Sequence, residues 1–284
     1  MNTKGYSGVF VSDLDGTLLN DSRKISLQDH RALATLRHKQ VLRIIATGRS
    51  LYSTRACLPE NFPMDYLIAS TGSHVLEWTT GKVLKAATLS PDDTKTISKF
   101  LLDLNVNFMI HDSFPDNQSF AYHRSHTYNE DFERRLNLYP AWGREFIAGQ
   151  KSDAASQILV VLQAHQLDVY AHIVQAYAHL SVIRATSPLD DQSLWIEIFA
   201  PQVSKAHGIL HILTHHGLDH VLTAAIGNDH NDQDMLNLVH LPYVVENAFL
   251  TYSPKYHRTP DNNNSAVAYA IEHFTNVLFG VTNT

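Results

Sequence analysis

Apolar runs of strand length alternate with helical patterns at both ends of this 284-residue chain, and this alternation is what most limits the possible folds. Helices that connect consecutive strands as crossovers produce a parallel sheet covered on both faces. The sequence therefore predicts an α/β fold with such a sheet. The runs interpreted as its strands are residues 9–11, 41–46, 66–69, 222–226 and 243–245.

Start and stop signals mark the helices between these strands. Ser26 precedes a helical pattern as a candidate N-cap, with Asp29 at the third helical position. In residues 90–93, Ser-Pro-Asp-Asp, a cap is followed by a first-turn proline and two acids that favour the positive end of the helix dipole. A further helix is predicted from Ser204 to Gly217, because glycine is the usual residue just after a helix.

The middle of the chain has a different character. Residues 82–191 are rich in His, Tyr and Asn, and their strand and helix signals do not alternate with short connections. We predict that this segment is an inserted second domain. Residues 1–81 and 192–284 then form the α/β core, with the run at 194–200 as a returning core strand.

Composition excludes several classes of partner and setting. The formal net charge is -6, and clustered Lys and Arg, which nucleic acids and anionic membranes require, are absent. One cysteine, Cys57, cannot form an internal disulfide and fits a reducing compartment. The sequence shows no secretory signal and no uncharged run of membrane-spanning length. We expect a soluble, cytoplasmic protein that binds neither nucleic acid nor membrane.

Two carboxylates follow the first predicted strand in VFVSDLDGTLL, residues 9–19. Ligands of an open parallel sheet bind at the carboxyl ends of its strands. Asp13 and Asp15 are two positions apart, so near-extended backbone directs both side chains the same way. Their mutual repulsion is relieved by a cation, and Mg2+ would also attract a phosphate. Gly16 permits a tight turn, and Thr17 can hydrogen-bond back to hold it.

Three other stretches follow predicted strands or begin the next helix at the same edge. In ATGRS, Thr47, Gly48 and the amides after them could bind a phosphate. STGS, residues 70–73, follows the third strand in the same way. Lys205 lies where its ammonium could reach phosphate oxygens and the aspartate pair. Each of these features is also common at ordinary turns and helix surfaces.

The fourth stretch, AIGNDHNDQDML at residues 225–236, delivers several oxygen ligands beyond a strand. Such a density of Asn and Asp suits Mg2+, and Asp232 could also anchor Lys205. Acids at this point would equally favour the following helix through its dipole.

The order and spacing of DLDGTLL, ATGR, the lysine in EIFAPQVSKAHGIL, and GNDHNDQDML resemble the haloacid dehalogenase superfamily, and its Cof-type phosphatases in particular. The resemblance implies a Rossmann-like, doubly wound core, with residues 82–191 as an α/β cap that determines substrate specificity. It also implies a Mg2+-dependent phosphatase acting on small phosphate monoesters, such as sugar phosphates, pyridoxal phosphate or flavin mononucleotide.

The resemblance also implies roles for individual residues. Asp13 would be the nucleophile that forms an aspartyl-phosphate, and Asp15 the general acid and base. Thr47, Lys205 and Asn231 would hold the phosphoryl oxygens, with contributions from Gly48 and Arg49. The metal ligands would be Asp13, Asp15 through its backbone carbonyl, Asn228 and Asp232. The sequences resembled usually have Gly-Asp where this chain has Gly227-Asn228.

Asn228 leaves one fewer charge at the metal site, so we expect weaker Mg2+ binding unless Asp229 or Asp232 compensates. Two alternatives remain open: a phosphotransferase or phosphomutase that passes the phosphoryl group to a hydroxyl, and a ligand-binding protein that retained the fold without catalysis.

Histidines recur at positions 207, 211 and 215 of the predicted helix after Ser204. This spacing stacks them on one face and is compatible with zinc. The stretch lacks the glutamate of the zinc-protease motif, and the chain has 18 histidines. We expect a half-exposed helix face here.

Overall fold

The computed structural model describes residues 5–149, 153–187, 193–250 and 253–280. The strands are β1 Gly8–Ser12, β2 Val41–Ala46, β3 Tyr66–Ala69, β4 His74–Glu77, β5 Val83–Ala86, β6 Asn107–Asp112, β7 Phe120–His123, β8 Gly143–Glu145, β9 Ala155–Leu162, β10 Ser181–Thr186, β11 Leu194–Phe199, β12 Leu222–Gly227, β13 Leu241–Val245 and β14 His257–Thr259. The helices are α1 Leu27–His38, α2 Leu51–Arg55, α3 Pro91–Asp103, α4 Glu130–Leu138, α5 Leu167–Ala176, α6 Lys205–His216, α7 Gln233–Leu238 and α8 Ala266–Phe279. Within those ranges, no helix has the length and apolarity needed to cross a membrane.

The chain divides into two compact units. The core unit comprises Met1–Lys85 and Ser204–Thr284, and the inserted unit comprises Ala86–Val203. An insertion in the middle of the chain was predicted, but both of its boundaries were placed too early, at residue 82 instead of 86 and at residue 191 instead of 203. The predicted boundary between residues 191 and 192 lies outside the described residues, and β11 after it pairs with β9 and β10 of the inserted unit. The strand at 194–200 is therefore not a core strand.

The core sheet has the strand order β14-β13-β12-β1-β2-β3-β4-β5. The pairs from β14 to β3 are parallel, which confirms the α/β prediction and five of the six predicted core strands. β4 is antiparallel to β3, because only the short turn Ser70–Gly72 and Ser73 separate the two strands, and a parallel neighbour would need a long crossover. β1 lies between β2 and β12, so its carboxyl end is at the centre of the sheet.

Helices cover both faces of this sheet. Phe10 of β1 points to one face, where its ring lies 5.7 Å from that of Phe274 of α8. Val9 and Val11 point to the other face and share an apolar cluster with Ile209 and Ile212 of α6. All six residues of β2 are buried, as expected for a strand covered on both sides. The doubly wound arrangement is thus present.

The inserted unit is built on an antiparallel sheet with the order β10-β11-β9-β6-β7-β8, in which β7 and β8 pair in parallel. One apolar cluster includes Ile97 of α3, Ile158 of β9 and Ile173 of α5. A second cluster includes Phe132 of α4 and Trp195 of β11. Both faces of this sheet carry helices, so its central strand β9 is buried along its whole length.

The predicted helix ends agree with the structure. Ser26, Ser90 and Ser204 each accept a hydrogen bond from the backbone N–H three residues later. Gly217 follows α6 in the left-handed conformation, with φ of 64°. These signals act locally, so they could be recognised without knowledge of the tertiary fold.

The carboxylate of Asp29 connects two helices of the core unit. Its Oδ2 accepts the hydroxyl of Ser26 at 2.7 Å within the first turn of α1. Its Oδ1 accepts the backbone N–H of Ala268 at 2.7 Å, in the first turn of α8. Ser265, the residue before α8, gives no side-chain cap. Asp29 therefore caps α8 from a neighbouring helix, and burial raises the pKa of this carboxyl group.

We expect Asp29→Ala to lower the free energy of unfolding by about 1–3 kcal/mol, because it leaves buried N–H groups without an acceptor. Hydrogen exchange should show faster exchange at the Ala268 amide. Asp93→Ala is the matched control: Asp93 has the same position in α3 and accepts Ser90 at an exposed site. Equal effects of the two substitutions would contradict a capping role for Asp29 at α8.

Candidate active site

The carboxyl ends of β1, β2 and β12 bring most of the predicted site residues together in the core unit. Asp13 continues β1 by donating its backbone N–H to the carbonyl of Ile226 at 2.9 Å. It is buried, as is Thr47 directly after β2. Asn228 follows β12, and it is buried too. The parallel register places these three strand ends at one edge of the sheet.

A buried ion pair joins Asp13 to Lys205. Lys205 is the first residue of α6 and has no exposed surface. Its ammonium donates to Oδ1 of Asp13 at 2.6 Å and to Oδ1 of Asp232 at 2.5 Å. Burial disfavours the charged ammonium, but the attraction of the two carboxylates is stronger and raises the pKa of Lys205. The lysine remains a cation between two acids.

Oδ2 of Asp13 is buried and has no hydrogen-bond partner. Burial and the nearby charge of Asp232 raise the pKa of this carboxyl group, whereas Lys205 lowers it. Buried polar atoms in folded proteins normally have a partner, so an unpartnered carboxylate oxygen indicates a site for a ligand or a reacting atom. Asp13 thus has one fixed oxygen and one available oxygen.

Asp232 connects the Asp13–Lys205 pair to the loop after β12. Its Oδ2 accepts the backbone N–H groups of Asn228 at 2.9 Å and Asp229 at 3.0 Å. With Oδ1 bound to Lys205, both oxygens have donors. This geometry favours the predicted anchoring of Lys205 over the predicted metal-ligand role. Asp229 accepts the backbone N–H of His230 at 2.7 Å, so it also helps to shape the turn.

The turn after Asp13 is packed against Asn228. Gly16 has a φ of 70°, and a Cβ at this position would overlap the side-chain amide nitrogen of Asn228. The hydroxyl of Thr17 donates to Oδ1 of Asn228 at 3.4 Å. The tight turn at Gly16 agrees with the sequence interpretation. Thr17, however, bonds across to the loop after β12 and not back to its own turn.

Asp15 forms an ion pair that the sequence interpretation did not include. Arg49 donates to both of its carboxylate oxygens, from Nε at 2.7 Å and from Nη2 at 2.6 Å. The Asp15 side chain is 40% exposed and that of Arg49 is 23% exposed, so the pair lies at the opening of the site. The opposite charges in loops after neighbouring strands were the only sequence signal for it. Arg49 orients Asp15.

The remaining predicted site residues lie in the same loops. The Thr47 hydroxyl accepts the backbone N–H of Arg49 at 3.1 Å, and Gly48 between them is half-buried. Asn231 is half-buried in the short turn His230–Asp232. On α6, His207 and His215 are exposed and His211 is half-buried, so they lie on the outer face of the helix.

The side chains that could bind a metal at this site carry little negative charge. Across the described parts of the chain, no three His, Cys, Asp or Glu side chains converge as ligands. The side-chain oxygens that could bind a metal are those of the Asp13 carboxylate and the amide oxygen of Asn228, which accepts one hydrogen bond from Thr17 at 3.4 Å and keeps a second lone pair. Hard oxygen donors of this kind fit Mg2+, which keeps several waters and needs few protein ligands. The residues present therefore fit a magnesium ion that is held with one carboxylate.

Comparison with known proteins identifies the relatives of this chain. Residues 10–271 match the sequence model of the haloacid dehalogenase-like hydrolases. A Streptococcus pyogenes protein named "Putative phosphatase M6_Spy0533" is 26% identical over 272 residues, which are 91% of this chain and 95% of that protein.

Solved structures show the same fold. The phosphatase BT1666 of Bacteroides thetaiotaomicron superposes with a TM-score of 0.75 at 19% identity, covering 96% of this chain and 97% of that one. The subclass IIB sugar phosphatase BT4131 gives a TM-score of 0.76 at 16% identity, covering 94% and 99%. The coverage includes both units, which confirms the α/β fold with an insertion.

We expect Lys205→Met to lower the free energy of unfolding by about 3–5 kcal/mol, because Asp13 and Asp232 would remain buried without their cation. Urea denaturation measures the change. Lys99→Met is the control, since the Lys99–Asp103 pair is exposed, and the expected change is within about 0.5 kcal/mol. A similar small change for Lys205→Met would contradict a charged, buried pair.

Proposed function

We propose, because the chain belongs to the haloacid dehalogenase-like hydrolase family, that it is a Mg2+-dependent phosphatase that hydrolyses small phosphate monoesters through an aspartyl-phosphate. The observation that carries this proposal is the asymmetry of Asp13. Lys205 holds one carboxylate oxygen, and the other is buried without a partner. A nucleophile needs both properties: a fixed position and a free lone pair.

Oδ2 of Asp13 would attack the phosphorus of the ester. A bond forms between this oxygen and phosphorus, and the bond from phosphorus to the ester oxygen breaks, so the alcohol leaves as an alkoxide. In the second displacement, water attacks phosphorus, releases inorganic phosphate and restores the Asp13 carboxylate. Lys205 supports both displacements by holding Oδ1 in place and by placing a positive charge beside the phosphoryl oxygens.

Asp15 would transfer the protons. It gives a proton to the leaving alkoxide in the first displacement and takes one from the attacking water in the second. Its position two residues after Asp13, at the opening of the site, suits a group that meets both the leaving group and water. The two hydrogen bonds from Arg49 keep the carboxyl group in one orientation.

The phosphoryl oxygens would be held by donors from three loops. These are the hydroxyl of Thr47, the ammonium of Lys205 and the side-chain amide of Asn231, with the backbone N–H of Gly48. Such fixed donors stabilise the charge that the phosphoryl group carries as it is transferred. The backbone N–H of Arg49 orients the Thr47 hydroxyl.

Asp13, the backbone carbonyl of Asp15 and the amide oxygen of Asn228 would hold Mg2+. When bound, the ion would reduce the repulsion between the Asp13 carboxylate and the anionic phosphate. Asp232 is left out of this set because Lys205 and two backbone N–H groups already occupy its two oxygens, whereas Asp13 and Asn228 each accept a single hydrogen bond.

The inserted unit would act as a cap that determines which ester is accepted. Support comes from the family and from the fold shared with a sugar phosphatase. Substrates of the size of sugar phosphates, pyridoxal phosphate or flavin mononucleotide are the class proposed. In such enzymes, binding energy from the part of the substrate that does not react determines the rate as well as the affinity.

The test is phosphate release from a panel of small phosphate esters, with and without Mg2+. We expect turnover that requires Mg2+ and that falls by at least about 10³-fold in Asp13→Asn, which cannot form the intermediate. Asp219→Asn, an exposed aspartate before β12, is the control and should retain full activity. Products in which the phosphoryl group is on another hydroxyl would indicate a transferase, and no turnover of any ester would refute the proposal.

A second test addresses the charge of the metal site. We expect wild-type protein to bind Mg2+ more weakly than micromolar, and Asn228→Asp to bind it several-fold more tightly, since a carboxylate replaces a neutral amide. Isothermal titration calorimetry with Mg2+ measures both constants in the absence of substrate. Asn237→Asp, in α7, is the matched change of charge away from the site. Unchanged affinity in Asn228→Asp would refute residue 228 as a ligand.

A further inference from the structure

The turn between β3 and β4 has an unusual backbone. Ser70, Thr71 and Gly72 all have positive φ, at 45°, 55° and 104°. All three are buried, with Thr71 fully inaccessible. Residues other than glycine rarely adopt this conformation, and a β-branched residue such as threonine is a real outlier there. Conformations of this kind persist only where the surrounding structure imposes them, and they cluster at functional sites.

The turn is bonded to the loop that carries Thr47. The N–H of Ser70 donates to the carbonyl of Arg49 at 2.8 Å, and the N–H of Thr71 donates to the carbonyl of Thr47 at 3.0 Å. The N–H of Thr47 in turn donates to Ile68 of β3 at 2.8 Å. These backbone bonds enclose Thr47 from both sides. The loop after β2 therefore cannot move without the turn after β3.

The same turn is packed against the start of α6. A Cβ at Gly72 would overlap the carbonyl oxygen of Ser204 and would lie 2.5 Å from its carbonyl carbon. The obstacle is backbone, so it cannot rotate away as a side chain could. Ser204 is the N-cap of α6 and immediately precedes Lys205. It is also the first residue of the core unit after the insertion.

We propose that the turn Ser70–Gly72 is a positioning element that sets Thr47 and Lys205 at a fixed separation around Asp13. This inference rests on the proposed phosphatase function. None of the three residues needs to touch the substrate: Ser70 and Thr71 act through the Thr47 loop, and Gly72 acts by close backbone contact with Ser204. The contact also fixes the chain where it returns from the inserted unit, directly before the catalytic lysine.

Gly72→Ala tests the contact, with Gly217→Ala as the control. Gly217 caps the other end of α6, also has positive φ, and has open space around its Cβ position. Both variants add strain at a left-handed residue, so both should lose thermal stability. Only Gly72→Ala should move Lys205, and we expect its kcat to fall at least about tenfold while KM changes less. Gly217→Ala should keep its kcat within about twofold of wild type, because it leaves the site geometry unchanged.

Thr71→Gly is the second variant, and it tests the positioning role if Gly72→Ala does not fold. Glycine accepts a φ of 55° without strain, which offsets part of the stability lost with the buried threonine side chain. A looser turn should lower kcat several-fold with a smaller change in KM, a split that lost stability alone would not produce. Gln40→Gly is the control, because Gln40 also has a φ of 55° and follows α1 away from the site.

A readout that does not need turnover separates this inference from the proposed function. The ammonium of Lys205 is buried between two carboxylates, so its ¹⁵N–¹H signal should be protected from exchange with water. It is assigned by its loss in Lys205→Met. The signal should shift in Gly72→Ala and Thr71→Gly and should stay unchanged in Gly217→Ala and Gln40→Gly.

The outcomes are distinct. Unchanged kcat and an unchanged Lys205 signal in the turn variants would overturn the positioning role. If wild-type protein hydrolyses no ester, the phosphatase proposal fails, and the Lys205 signal alone then shows whether the turn positions the lysine. Shifts confined to the turn variants would support that role, and equal shifts in the controls would refute it.

Discussion

The buried ammonium of Lys205 is the interaction on which the site depends. It neutralises Asp13 and Asp232, two acids that could not otherwise remain charged in the interior. It also makes the two oxygens of Asp13 different: Oδ1 accepts a hydrogen bond from Lys205, and Oδ2 has no hydrogen-bond partner. Removing the lysine would therefore disturb folding and, under the proposed mechanism, the chemistry as well.

Around the Asp13–Lys205 ion pair, a different contact holds each loop of the site. Gly16 allows Asn228 to pack against the first turn, and Asp232 fixes the last loop through two backbone N–H groups. Arg49 holds Asp15. All of these contacts lie in the core unit, at one edge of its sheet. The site is thus rigid at its base and more exposed at Asp15, where the leaving group and water would have to enter.

Much of this arrangement could be predicted because its causes are local or follow from topology. A buried strand that ends in Asp13, and a serine cap before Lys205, are visible in the sequence. Parallel strands place their carboxyl ends at one edge, so Thr47, Asn228 and Asp13 were expected to meet. Their catalytic roles stay predictions, as does the binding of Mg2+.

What could not be predicted depends on contacts between distant side chains or on backbone strain. The run at 194–200 was assigned to the core because a strand covered on both faces has the same apolar pattern in either sheet. The pairing of Arg49 with Asp15 depends on turn geometry that composition does not specify. The antiparallel β4 follows from a turn in which Ser70 and Thr71 adopt conformations that their residue types disfavour.

The central position of β1 also has a consequence for synthesis on the ribosome. Its neighbour β2 is made soon after it, but β12, Lys205 and the Phe274 side chain come only after the whole insertion. The growing chain therefore carries Asp13 at the end of a strand with one open edge and without Lys205 until the insertion and the segment after it have emerged. The inserted unit, contiguous from Ala86 to Val203, can complete its own sheet earlier. The segment translated after the insertion then closes the core around Asp13, which was translated before it.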